Sequence, residues 1–329
     1  SLLCFDATAR EGQTIRMEGS YLKPEPLGDG QRDQSISLIS QSELSYSQQR
    51  LWFLSRLEPD NPFYHLGLLL DLKGPVDYHA LERALQKVVR RHEPLRTTFA
   101  ISDGVPMQKV GSEDEAESIR LPSWNCYHED VDIRLNDTIA RLDELFAVPF
   151  DLETEWPVRG GIIQVGEEHH ILAVVFHHIA FDGWSQGVLI RELSAFYEFF
   201  RLGSREEPLS ELRGHYSDFT QWQREQMEGK NLERLIGYWG KKLENLPELH
   251  LPTDYPRPAK VSYRGESCYF QLDANLTRRI DNLCENAGAT RFMVLLAAFH
   301  IWLSRCSGQD DFGIGTPIAV SYTHLTLPT

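Results

Sequence analysis

The chain has 329 residues, enough at ~150 per domain for two domains or lobes. Its 33 Lys+Arg against 48 Asp+Glu leave a net charge of −15 and a pI near 5.3, and with no local basic stripe this argues against a nucleic-acid partner. Hydrophobic residues at 41 % and charged residues at 25 % exclude bulk disorder, and no run reaches the ~18 consecutive apolar residues of a membrane span.

Residues 1–33 are polar, rich in Gly, Arg, Asp and Glu and without a sustained period, so they read as a linker. Ser1-Leu2-Leu3-Cys4-Phe5 lacks a basic region and an extended apolar core, which is not the pattern of a signal peptide. It also lacks an initiator Met, and the chain is expected to be cut from something longer. The five Cys (4, 126, 268, 284, 306) are odd in number and without C-x-x-C spacing, a pattern of reduced cytoplasmic thiols.

Leu44 to Leu54 is the first strong pattern, a helix capped by Ser45 with Leu51 and Leu54 on its apolar face. Glu58-Pro59-Asp60-Asn61-Pro62 ends it, and His65 to Leu72 reads as a strand. Leu81, Ala84, Leu85, Val88 and Val89 stand at helical spacing, with Arg90, Arg91 and His92 in the last turn, where positive charge suits the helix dipole, and Pro94 stops the helix. Leu95–Ile101 and Val105–Val110 flank Ser102-Asp103-Gly104, a hairpin signal. A helix over Ile133–Phe146 and two strands, Val158–Val165 and His170–Phe176, follow. The second strand, Ile171-Leu172-Ala173-Val174-Val175-Phe176, is continuously apolar, as expected for a strand covered on both faces.

After His177-His178-Ile179-Ala180-Phe181-Asp182-Gly183-Trp184-Ser185 comes a helix with Val188, Leu189, Leu193, Phe196, Tyr197 and Phe200 on one side, and further helices are predicted over 215–228, 231–245, 276–287 and 291–306. Strands are predicted at Cys268–Leu272 and, buried, at Phe312–Ala319. Strands and helices alternate, so the fold class is α/β.

The chemistry concentrates at the end of the apolar strand. Side chains alternate along a strand, so His177 and His178 point to opposite faces, and one can meet a cavity while the other packs inward. An imidazole facing a cavity suits proton transfer near neutral pH. Asp182 stands at the start of the next helix, where its carboxylate can orient the loop or hold a cation, and Gly183 permits a tight turn or a close backbone approach. A purely structural histidine pair is the competing reading. A metal site is opposed by geometry: seven strand residues at ~3.3 Å each separate His170 from His177 by roughly 23 Å, and His178 with Asp182 supplies two ligands where a catalytic zinc usually has three. Trp184 reads as core, and no G-x-S-x-G or electropositive Cys supports nucleophilic catalysis.

These residues resemble a known family. His177 to Ser185 is similar to the H-H-x-x-x-D-G-x-S signature of condensation domains of nonribosomal peptide synthetases. Ser45-Tyr46-Ser47-Gln48-Gln49-Arg50-Leu51-Trp52-Phe53-Leu54 resembles the family's first motif, and Arg91-His92-Glu93-Pro94-Leu95-Arg96-Thr97-Thr98-Phe99 matches its second, R-H-E-x-L-R-T-x-F, at every fixed position. Tyr216-Ser217-Asp218-Phe219 resembles the fourth.

The resemblance implies a chloramphenicol-acetyltransferase-like two-lobed V, with a complete N-terminal lobe at 34–228 and a partial C-terminal lobe at 229–319. It implies amide formation between a donor thioester and an acceptor amine. Both are presented on 4′-phosphopantetheine by upstream and downstream peptidyl carrier proteins, beside an adenylation domain, with no cofactor or metal held by the domain itself. His178 corresponds to the catalytic histidine, either as general base or by positioning the amine. His177, Asp182 and Gly183 support the motif, while Arg91, Arg96 and Arg50 read as structural, Arg91 and Arg96 as ion-pair partners. In the family an Arg a few residues after the position of Ala319 pairs with the motif's Asp. Here Val320 to Thr329 reads as a non-native tail, so the chain is expected to be an incomplete excerpt without turnover. The alternatives are an acyl-CoA-dependent acyltransferase of the same superfamily, a condensation-fold epimerase, and a non-catalytic recruitment module.

Overall fold

The structure, a computed structural model, describes residues 2–6, 38–259, 268 and 270–316. In chain order the strands and helices are β1 (Leu2–Asp6), β2 (Leu38–Glu43), α1 (Tyr46–Leu57), β3 (His65–Lys73), α2 (Tyr78–Arg91), β4 (Thr97–Ser102), β5 (Val105–Gly111), β6 (Ser123–Asn125), α3 (Val131–Ala147), β7 (Val158–Gly166), β8 (His169–His177), α4 (Gly183–Leu202), α5 (Tyr216–Gln226), α6 (Gly229–Lys242), α7 (Ala274–Ala287) and α8 (Arg291–Ser307). Contacts divide the chain into two compact units, the first ending at Met227 and the second starting at Glu228.

Local chemistry explains where the elements begin. Ser45, Asp77, Asp130 and Asp182 each accept a hydrogen bond from a backbone N–H in the first turn of α1, α2, α3 and α4, satisfying donors that have no partner inside the helix. Between β4 and β5 the turn places Asp103 at φ 52° and Gly104 at φ 81°, the left-handed pair a tight hairpin requires.

The first unit is built on a five-stranded mixed sheet, order β1-β3-β8-β7-β6, with β8 antiparallel to both β3 and β7. A separate three-stranded sheet has the order β2-β5-β4. Alternation along β8 divides the core. Leu172, Val174 and Phe176 pack with Leu68 and Leu70 of β3 under Leu85 and Val88 of α2 and Leu189, Leu193 and Phe196 of α4. Ala173 and Val175 face the other way, onto Leu51 and Trp52 of α1, Phe99 of β4 and Leu145 of α3. Both faces of β8 are therefore covered, which accounts for its apolar run.

Three expectations are corrected. Leu2–Asp6 lies inside the predicted linker but pairs parallel to β3, whose edge offers a ladder to the run Leu2-Leu3-Cys4-Phe5. The predicted strand at 268–272 is absent where residues are described: 270–272 have no regular structure, and among the described residues no strand pairs with them. The same holds for 312–316 of the last predicted strand, although Phe312 is buried and stacks on His300 at 4.4 Å, while 317–319 and the 320–329 tail lie outside the described residues. In α8, predicted as a helix over 291–306, Leu303 is buried, while Phe292, Met293, Phe299, Ile301 and Trp302 are exposed. Cys126, Cys268, Cys284 and Cys306 are free thiols. Among the described residues no single helix is long and apolar enough to cross a membrane.

Leu85 is fully buried where α2 meets the sheet. Leu85→Ala should lower unfolding stability by about 2–5 kcal/mol, read as a lower urea midpoint with an unchanged slope; an unchanged midpoint means the α2 face carries no core.

Candidate active site

β8 ends at His177, and the two histidines of the motif part there. The His177 backbone N–H donates to Pro157 O at 3.0 Å, and its ring is buried, with only 4 % of the residue exposed. Its Nδ1 accepts the Ile179 N–H at 3.1 Å, which leaves the ring proton on Nε2. The rings of Tyr64, His65 and Phe150 surround it at 6.2, 6.2 and 6.3 Å between centroids. Burial, reinforced by the neighbouring His65 and His178, pulls the His177 pKa down to about 3, so this imidazole is neutral at pH 7 and shapes the turn.

His178 is the first residue of the turn after β8 and is exposed. Its backbone N–H donates to Tyr64 O at 2.8 Å, and Ala180 N–H closes the turn onto His177 O at 3.0 Å. The main chain is pinned on both sides of a side chain that solvent can reach.

Asp182 ends that turn as the N-cap of α4. Its Oδ1 accepts the Ser185 N–H at 2.9 Å and the Ser185 hydroxyl at 2.7 Å, so the helix start holds this carboxylate in place. The position of its expected Arg partner lies outside the described residues. Gly183 is the first residue of α4; it has no positive φ, and a Cβ built there meets nothing within 4 Å. Neither the turn nor this chain's own packing requires glycine at that point.

Trp184 is 47 % exposed, against the expectation of a core residue. The buried side of α4 carries Gln186, Leu189, Leu193 and Phe196, and position 184 falls on the opposite side at 3.6 residues per turn. The two arginines differ in role. Arg91 Nε stands 3.3 Å from Glu192 Oε2, the oxygen that His92 Nε2 meets at 2.7 Å, and this joins the end of α2 to α4. Burial pushes the Glu192 carboxyl up, but the His92 hydrogen bond and the charges of His92, Arg91 and Arg191 outweigh it and hold the carboxyl below its ordinary value. Arg96 is buried and mainly closes carbonyls: Nε donates to Arg90 O at 3.2 Å and Nη1 to Gly111 O, with Glu113 no nearer than 3.9 Å. Arg50 is exposed on α1.

Sequence reading missed how the other motifs join. Gln48 Nε2 donates to Gln108 Oε1 at 3.3 Å, the Ser45 N–H donates to Gln48 Oε1 at 2.9 Å, and Ser45 Oγ shares a 2.9 Å hydrogen bond with the Tyr216 hydroxyl. Ser217 Oγ donates to Glu93 Oε2 at 2.7 Å, and Arg224 Nε to Leu44 O at 2.8 Å. Burial raises the Tyr216 pKa and Asp182's charge adds to the rise, against the lowering by Ser45, so the phenol stays protonated. The Ser45…Gln48 spacing was the one readable signal of this network. Among the described residues no group of three His, Cys, Asp or Glu is placed to hold a metal; His169, at the far end of β8, pairs with Asp71.

A condensation-domain family model matches residues 40–320. The chain is 39 % identical over 276 residues to chondramide synthase cmdD of Chondromyces crocatus, covering 84 % of this chain and 7 % of that protein. It superposes on the X-domain from teicoplanin biosynthesis with a TM-score of 0.70 at 31 % identity, over 83 % of this chain and 59 % of that one. The first condensation domain of the CDA synthetase shares the fold, with a TM-score of 0.64 at 22 % identity over 82 % of this chain and 63 % of that one. The chain belongs to the condensation-domain family.

Burial also lowers the His65 pKa, to about 4. Both His65 and His177 are therefore depressed below their ordinary 6.5, so the unfolded chain takes up protons before the folded one does. Stability should be full above pH 6.5 and fall as pH drops from 6.5 towards 4 and 3. Denaturant titrations between pH 7.5 and 5 should show a slope approaching two protons; a flat profile there means neither ring is held neutral.

Proposed function

We propose that the chain carries the histidine-bearing part of a domain that forms amide bonds in nonribosomal peptide synthesis. The carrying observation is His178: an exposed imidazole on a turn pinned by its N–H to Tyr64 O and followed at once by the capped start of α4. In this reading the acceptor's amine nitrogen attacks the donor thioester carbonyl carbon. The C–N bond forms as the carbon–oxygen double bond opens to an oxyanion. Collapse of that intermediate breaks the C–S bond, and the proton lost from nitrogen ends on the departing sulfur.

His178 is the group at the amine. An α-amine with an unperturbed pKa of ~7.7–8.0 already has a sizeable neutral fraction at pH 7, so positioning and charge stabilisation weigh more here than deprotonation. The open space beside Gly183 leaves room for substrate to approach the backbone. The donor and acceptor arrive on 4′-phosphopantetheine arms of carrier proteins, with an adenylation domain adjacent, in the cytoplasm. Relatives of which this chain spans only a few per cent support that multidomain setting.

A second reading is favoured by one likeness. The X-domain solved in complex with OxyB matches this chain at 30 % identity and a TM-score of 0.71, so a recruiting role is the competing account.

The test loads donor and acceptor carrier proteins and follows product by mass spectrometry, using the intact polypeptide that carries residues 40–316. His178→Ala should lower the rate by about 10²-fold or more with melting unchanged. Wild-type turnover in the variant sinks the catalytic reading. No turnover in either form, with a tailoring protein still captured by His178→Ala, favours recruitment.

A further inference from the structure

Pro149 stops α3, but the end of the helix has no glycine cap. Its C-cap, Val148, is extended at φ −69° and ψ 120°, and no glycine follows to turn back the last N–H groups. The carbonyls of the last turn are taken instead by side chains from two strands. Arg159 of β7 donates from Nε to Leu145 O at 3.0 Å and from Nη2 to Val148 O, and His65 of β3 meets Phe146 O through Nδ1 at 2.8 Å. A carbonyl only accepts, so the His65 proton must sit on Nδ1. Arg159 brings positive charge to the negative end of the helix and lies over the Phe150 ring at 4.0 Å. Two residues along β3, Gly67 leaves space that the Phe146 ring fills: a Cβ there would fall 1.8 Å from Phe146 Cε1. Ring and hydrogen bond together seat the end of α3 on β3.

This seat lies against the strand ends that carry the site. His65 is the register partner of His177, with their rings 6.2 Å apart at 70°, and Phe150 flanks both, at 5.0 Å from His65 and 6.3 Å from His177. The residue before His65 is Tyr64, whose carbonyl receives the His178 N–H. The Tyr64–His65 pair therefore touches both histidines of the motif, one through the main chain and one through the side chain.

We propose that His65 is a positioning residue for His178, fixing the Tyr64 carbonyl that holds the His178 backbone by tying β3 to the end of α3. The proposal rests on the reading of His178 as the group at the reacting amine. Leucine at position 65 fills similar space without a donor, whereas an asparagine amide can reach Phe146 O from nearly the place of Nδ1.

The test uses the intact polypeptide with loaded carriers, together with nitrogen-15 spectra of the histidine rings. The wild type should show His65 as the Nδ1–H tautomer and His177 as the Nε2–H tautomer. His65→Leu should shift the His178 ring signals and lower kcat by roughly 10–100-fold, with KM for the carriers within about twofold. His65→Asn should restore both the signals and most of kcat. Finding His65 as the Nε2–H tautomer overturns the proposal without any variant, which decides the matter if His65→Leu does not fold. A folded His65→Leu with wild-type kcat and unmoved His178 signals also overturns it, and so does a His65→Asn that behaves like His65→Leu. Should His178→Ala keep full turnover, the placing of His178 at the reacting amine falls, while the ring signals still report whether His65 holds His178 in place.

Discussion

Covering β8 on both faces leaves no room for a polar side chain between Ile171 and Phe176, so the strand's chemistry is pushed to its ends. At one end His169 meets Asp71 near solvent; at the other the chain must leave the sheet, and there the two histidines take opposite fates. The alternation that sends Ala173 and Val175 toward α1 and α3 sends His177 the same way, among aromatic rings. The turn that follows exposes His178. A core requirement and a site requirement are met by one run of residues.

Polar bridges carry the rest of the arrangement. Glu192 joins the end of α2 to α4, and the chain of Gln108, Gln48, Ser45 and Tyr216 joins β5, α1 and α5. These contacts link stretches that the sequence shows as separate motifs. In the Gln108–Gln48–Ser45–Tyr216 chain each side chain has a partner, and such a network specifies one geometry more sharply than apolar packing does. It follows that substitutions at Arg91, His92 and Glu192 will not act independently, because Arg91 and His92 share the Glu192 carboxylate.

Much of the first unit was legible because its patterns are local. The spacing of Leu81 to Val89 marks α2, the run Ile171–Phe176 marks β8, and Asp103-Gly104 marks the hairpin. Asp182 was legible at the start of its helix, though its visible partner proved to be Ser185. The strands expected near 270 and 314 needed neighbours that no local pattern reveals. Trp184 was misassigned on its apolar character, although 3.6 residues per turn puts it opposite Leu189, Leu193 and Phe196. His65 left no signal, since its partner Phe146 stands 81 positions away and accepts through its main chain.

The neutrality of the two buried rings also sets the electrical surroundings of His178. A ring titrating at its ordinary value would carry a positive charge in part of the population at pH 7, close behind the exposed imidazole. An acceptor that reaches the site as an ammonium would meet that charge as repulsion, and its approach would slow as the solution became more acidic. With His65 and His177 held neutral, neither adds a cation behind the turn. On the proposed amide-forming reading, their burial thus spares an incoming ammonium that added repulsion.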